Sequence, residues 1–139
     1  MKGLEIKDKV LRANIDLHTV TANTYDTEQP HYRPENKALV SAKLAELAGS
    51  AGNDLLIDFG CGTGFVIQLA VPHFNFISGV DITPAMLSMI DKSSGKVKLY
   101  QANTEAVPLE AKTANVITAN SYLHHLYDIR PTIAEAYRL

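Results

Sequence analysis

Leu55-Leu56-Ile57-Asp58-Phe59-Gly60-Cys61-Gly62-Thr63-Gly64-Phe65 is the stretch on which the fold turns. Its apolar start, bounded by Asn53-Asp54 and by glycine, reads as a strand buried on both faces. Three alternating glycines then read as a tight turn, where positive φ or the close approach of a ligand calls for glycine. Phe65 to Ala70 follows as a short helix, stopped by Pro72. Strand, glycine turn and helix open a doubly wound α/β sheet, in which ligands sit at the carboxyl ends of the strands. The spacing narrows the ligand. A dinucleotide fingerprint needs glycine where Phe65 stands, and a phosphate loop needs Lys-Ser or Lys-Thr after its glycines. What remains suits a nucleoside ligand without a pyrophosphate.

Moving outward, Glu35 to Ala48 reads as a helix: Val40, Leu44 and Leu47 share a face, and Gly49 serves as its C′ residue. Residues 1–34 read as an ordered surface loop. Val10, Leu11 and Ile15 hint at a short helix there, diluted by Asn14, Thr19, Thr21, Asn23 and Thr24. Downstream, Asn75–Ile82 reads as a second strand ending in Asp81. Thr83 then caps, and Pro84 opens, a helix through Ile90. Lys96–Gln101 alternates as a third strand, Asn115–Asn120 forms a fourth, and a last helix starts at Pro131. An acid at the end of a second strand is what a ribose site requires, because a carboxylate accepts hydrogen bonds from vicinal hydroxyls.

The chain has 139 residues, 46% of them apolar, which fits one domain. Thirteen basic and fifteen acidic residues give a net charge of −2, with no basic block, so nucleic-acid binding is not indicated. A lone cysteine, Cys61, cannot form an internal disulfide and suits a reducing compartment. Neither a membrane-spanning run nor a signal-peptide core is evident, and a soluble cytoplasmic protein without stable membrane insertion is expected.

The motif Asp-Phe-Gly-Cys-Gly-Thr-Gly-Phe (58–65) resembles the first motif of class I methyltransferases that use S-adenosyl-L-methionine. Asp81-Ile82-Thr83-Pro84-Ala85-Met86-Leu87 is similar to the family's Asp-x-Ser-x-x-Met-Leu, with Thr for Ser. Ala102 to Leu109 resembles Gly-Asp-Ala-x-x-Leu-Pro-Phe, with Asn103 in place of Asp. Leu123-His124-His125-Leu126 matches the family's segment after its fourth strand, although Ala114-Asn115 replaces Phe-Asp before it. The resemblance implies a Rossmann-like sheet of order 3-2-1-4 and a small-molecule branch that includes ubiquinone-biosynthesis-like enzymes. By that likeness the backbone at Gly60, Cys61, Gly62 and Gly64 accommodates the methionine part of the cofactor, with Asp58 beneath its ammonium. Asp81 holds the ribose, Ile82 and Met86 flank the adenine, and Asn103 with Thr104 meets it. Asn120 closes the methionine side. Tyr25 and Tyr32, in a Tyr-Asp … Pro-x-Tyr-x-Pro stretch, face the ligand from an N-terminal cover (1–34) over a partial core (35–139).

The expected activity is methyl transfer to a small-molecule or lipid-like acceptor. Methyl transfer from a sulfonium needs positioning and no metal; a base is needed where the acceptor is protonated. His124 and His125 are the base candidates, of which one can face the site, and His124 is the assigned residue. Tyr122 and Tyr127 are candidates for the acceptor pocket; Cys61 packs in the turn. His18, His31 and His73 are too scattered for a metal site. Family members continue with a Pro-Gly-Gly turn, a fifth strand and a reversed hairpin after the point where Arg138-Leu139 closes this sequence. The fourth strand is therefore an expected edge, open to self-association, a partner chain or the rest of a longer protein. Two rivals stand beside methyl transfer. One is a non-catalytic module or inactive fragment holding S-adenosyl-L-methionine or its product. The other is a nicotinamide-dependent oxidoreductase, disfavoured by Phe65.

Overall fold

In the computed structural model, which describes residues 2–139, Leu55–Phe59 forms a central strand, β1. It is parallel to β2 (Phe76–Asp81) on one side and β4 (Val116–Thr118) on the other, and β2 is parallel to β3 (Val97–Gln101). The order is β3-β2-β1-β4, as the resemblance implies. Alternation along β1 sends Leu56 to one core, with Leu44, Phe65, Ile67 and Ile77, and Ile57 to the other, with Phe59, Val80 and Val107. Both faces are covered, which is why this strand opens on the consecutive apolar residues Leu55, Leu56 and Ile57.

Among the described residues there are six α-helices: α1 (Lys2–Thr21), α2 (Tyr25–Glu28), α3 (Pro34–Ala51), α4 (Phe65–Ala70), α5 (Pro84–Leu87) and α6 (Arg130–Arg138). Single 3-10 turns lie at Pro30–Tyr32 and Leu123–His125. Four expectations need correction. Residues 2–21 are a continuous helix rather than a loop. α3 runs past Gly49, whose missing side chain faces open space, to Gly52, whose φ of 99° ends it. α5 stops at Leu87, and turns bonded Met89 to Met86 and Ile90 to Leu87 carry the chain on. The fourth strand pairs only over Val116–Thr118, and Ser121 adopts a positive φ of 51° soon after.

Asn115 explains one departure from the family pattern. Its side-chain oxygen accepts the Leu55 amide at 3.0 Å, and its amide nitrogen donates to the Ala51 carbonyl at 3.2 Å. An aspartate could not supply that donor. At the other end, Glu135 accepts the Val107 amide, and Arg138 donates to Glu135 and to the carbonyls of Leu109 and Val107. These bonds fix the loop after β3 against α6. Among the described residues no helix is long and apolar enough to cross a membrane.

Candidate functional site

All four strands deliver their carboxyl ends to one chamber. Its wall includes Asp58, Gly60, Cys61, Gly62, Asp81, Ile82, Met86, Asn103 and Asn120, nine of the residues assigned to the cofactor from sequence. Gly64 and Thr104 do not line it. Gly64 is the N-cap of α4, with φ of 95°, and a side chain there would meet Ile90 at 3.2 Å. Thr104 is buried, in hydrogen-bonding contact with the Tyr122 hydroxyl at 2.9 Å and with Thr132 at 3.0 Å. It ties the β3 loop to its neighbours instead.

The glycine turn is pinned from beneath: the Cys61 amide donates to the Val80 carbonyl at 3.0 Å, and the Gly64 amide to the Cys61 carbonyl at 2.9 Å. Gly62 has φ of 53° and nothing within 4 Å of where a side chain would start, so its backbone lies open to a ligand. The Asp81 carboxylate organises the turn. One oxygen accepts the Gly62 amide at 2.9 Å and the other the Thr83 amide at 2.8 Å. Each oxygen keeps a lone pair for a ligand hydroxyl.

Asp58 is buried beneath the turn, and its carboxylate accepts the Thr118 hydroxyl at 2.7 Å. Burial pushes its pKa up to about 7, partly offset by the Thr118 bond and reinforced by the negative Asp81. The folded chain therefore holds a proton that the unfolded chain releases from about pH 4 upward. The associated stability is complete below that pH, declines as pH rises to about 7, and is level beyond. In urea titrations across this range, Asp58→Asn is expected to flatten a slope of at most about 1.4 kcal/mol per pH unit. An unchanged slope would assign it to another group.

Burial raises the Cys61 thiol well above its ordinary pKa, with Asp58 and Asp81 adding to the effect, so it is a poor nucleophile. Asn103 lines the chamber while its side-chain oxygen accepts the Glu105 amide at 3.0 Å, leaving one lone pair and the amide hydrogens for a ligand. Tyr25, Tyr32, Tyr122 and Tyr127 all face the chamber. Of the paired histidines, His125 lines it; His124 is exposed and lies outside the chamber wall.

Two parts of the site escaped the sequence reading. One is the roof. Lys7, Val10, Leu11, Asn14 and His18 form one stripe of α1 and line the chamber. The Lys7 ammonium pairs with Glu105 at 2.6 Å, and the Asn14 amide donates to the His125 carbonyl at 2.8 Å. The other is a bolt: the Thr63 hydroxyl donates to Asp26, and the Tyr32 hydroxyl contacts Thr63 at 2.7 Å. Tyr32 and His31 also pack edge-on against Phe65, at ring separations of 5.0 and 4.8 Å. The i, i+3, i+4, i+7, i+11 spacing of the α1 stripe was the available signal. For Thr63 the sequence carries none.

The sequence from residue 57 to 139, well over half of the chain, matches the family described as "Methyltransferase domain". Malonyl-[acyl-carrier protein] O-methyltransferase of Serratia marcescens is 23% identical over 100 residues, covering 72% of this chain and 39% of the relative. The 18S rRNA (guanine-N(7))-methyltransferase bud23 of Schizosaccharomyces pombe is 28% identical over 96 residues, covering 67% and 35%. The chain thus spans well under half the length of these curated relatives. Among solved structures, phosphoethanolamine N-methyltransferase 1 of Haemonchus contortus, in complex with phosphoethanolamine and S-adenosylhomocysteine, aligns with a TM-score of 0.57. Its identity is 12%, over 89% of this chain and 29% of its own. With the sheet order, the glycine turn and more than half of the sequence in agreement, the chain belongs to the class I methyltransferase domains, the family that uses S-adenosyl-L-methionine.

Proposed function

We propose that the chain binds S-adenosyl-L-methionine in this chamber and serves methyl transfer to a small-molecule acceptor. The observation that carries the reading is Asp81: a carboxylate fixed by two backbone amides, with a free lone pair on each oxygen facing a pocket built on open glycine backbone. That donor set fits a ribose. Ile82 and Met86 offer apolar contact for a base, Asn103 a polar edge, and Asn120 with the backbone of Gly60, Cys61 and Gly62 the amino-acid end. Asp58, held near neutrality by burial, is suited to an ammonium, which favours its charged form. When bound, the cofactor supplies a methyl group on a positively charged sulfur.

The chain's own part is to hold and to enclose. The α1 stripe roofs the chamber, and the Asp26–Thr63–Tyr32 contacts fasten residues 25–32 to the glycine turn. This supports the division into a cover, residues 1–34, and a core from residue 35. Of the two histidines, His125 is the one positioned to take a proton from a substrate.

The name of one relative specifies a carrier-protein-bound malonyl group, that of the other ribosomal RNA. A small acceptor is favoured here because, among the described residues, Lys7 is the one lysine or arginine in the chamber wall and is already paired with Glu105. A cytoplasmic setting fits the buried free thiol of Cys61. The uncovered side of β4, with Ile133 and Tyr137 exposed on α6, supports association through that edge.

A transfer screen with methyl-labelled cofactor against phenols, amines and carboxylates is expected to yield a labelled small-molecule product. Binding of S-adenosylhomocysteine with no labelled product in the presence of any acceptor, protein or RNA included, would instead assign a non-catalytic binding module.

A further inference from the structure

Next to the cofactor chamber lies a second hollow with a different wall. Five aromatic rings run along it in an unbroken chain. His124 and His125 are 4.1 Å apart by ring centroids, His125 and His18 4.9 Å, His18 and Tyr25 6.0 Å, and Tyr25 and His31 5.9 Å. These rings come from four separate segments: α1, α2 and the two 3-10 turns. The hollow shares His18, Tyr25, His31 and His125 with the chamber, so a molecule seated in it abuts the cofactor site.

The rest of the wall is Leu17, Pro30 and uncharged amides and hydroxyls, with no carboxylate, lysine or arginine. Carboxylate, phosphate and ammonium ligands therefore find no lysine, arginine or carboxylate counter-charge there. A metal ion is not indicated either: among the described residues no three His, Cys, Asp or Glu groups gather as ligands. The rings meet edge-on or tilted. What such a wall offers is flat polarisable surface together with ring nitrogens that can exchange hydrogen bonds with hydroxyl groups. Burial lowers the pKa of His31 and takes that of His125 down to about 4, so both are uncharged at neutral pH.

We propose that this hollow, bounded by His18, Tyr25, His31, His124 and His125, is the acceptor subsite and takes a flat, uncharged ring bearing hydroxyl groups. The inference rests on reading the adjoining chamber as the cofactor site. It extends that reading by naming the substrate class, phenols and catechols.

The test uses the full chain saturated with S-adenosylhomocysteine, whose own affinity is measured first by calorimetry. Catechol, 1,2-cyclohexanediol and benzoate are then titrated while the imidazole resonances are followed by NMR. Catechol is expected to shift the His18, His124 and His125 signals saturably and to bind at least roughly fivefold tighter than either comparison ligand, since only it combines a flat face with neutral hydroxyls. His124→Ala, on an exposed position that leaves the core untouched, is expected to weaken catechol binding by a similar factor. Benzoate or the cyclohexanediol binding as well as catechol, or catechol moving no imidazole signal, would overturn the subsite while leaving the cofactor reading in place. Failure of S-adenosylhomocysteine to bind would overturn both.

Discussion

Asp81→Ala is expected to weaken S-adenosylhomocysteine binding by about 100-fold, the equivalent of two lost charge-assisted hydrogen bonds at about 1.5 kcal/mol each. The residue does two jobs at once. Its oxygens hold the Gly62 and Thr83 amides at 2.9 and 2.8 Å, which fixes the glycine turn against the end of β2. Their remaining lone pairs are free to accept vicinal hydroxyls, as the proposed ribose site requires. Alanine removes both functions, whereas Asp81→Asn keeps one oxygen and offers an amide as donor. The asparagine variant is therefore expected to fall between the two. Calorimetric titration of native chain and both variants reads the series, with urea melts confirming that each is folded. Equal affinity for all three would remove the ribose from this carboxylate.

Gly60→Ala is the larger structural insult. At φ of 63° a side chain is already strained, and the new methyl would lie 2.1 Å from two ring carbons of Tyr122. The ring has no easy retreat. Its hydroxyl is in hydrogen-bonding contact with Thr104 at 2.9 Å, and its backbone follows Ser121 at a φ of 51°. Overpacking together with a left-handed alanine is expected to cost about 3 kcal/mol or more and to lower Tm by roughly 10 °C. Because the clash is with one named ring, the double variant Gly60→Ala/Tyr122→Ala should be more stable than the sum of the single effects predicts. Additive losses in urea denaturation would show that strain at residue 60, and not the ring, carries the cost.

How far these features could be read beforehand depends on what each residue faces. β1 and β2 were legible because both lie mostly buried and carry the apolar runs Leu55-Leu56-Ile57 and Phe76-Ile77, with Val80 beyond. Asp81 stood out in the sequence because it is an acid at the end of such a strand, 17 residues after the glycine turn. The helix α1 was not. Its inward stripe contains Lys7, Asn14 and His18, because it faces a polar chamber rather than a hydrocarbon core. Polar residues at core spacing mimic a loop when only hydrophobic periodicity is counted. Thr104 misled in the opposite sense. A threonine beside the adenine position looks like a ligand residue, yet it is buried against Tyr122 and Thr132. His124 and His125 are indistinguishable in sequence, and only the 3-10 turn at Leu123–His125 decides which imidazole lines the chamber. Thr63 lies more than thirty residues from both Asp26 and Tyr32, so their meeting is a property of tertiary packing.

The location of the cofactor is tested most directly by following backbone amide resonances while S-adenosylhomocysteine is added to the native chain. The account predicts saturable one-to-one binding with the largest shifts at Gly60, Cys61, Gly62, Asp81, Ile82 and Asn103, at the ends of β1, β2 and β3. Shifts confined to another surface, or a response to NAD at those amides with none to S-adenosylhomocysteine, would contradict it.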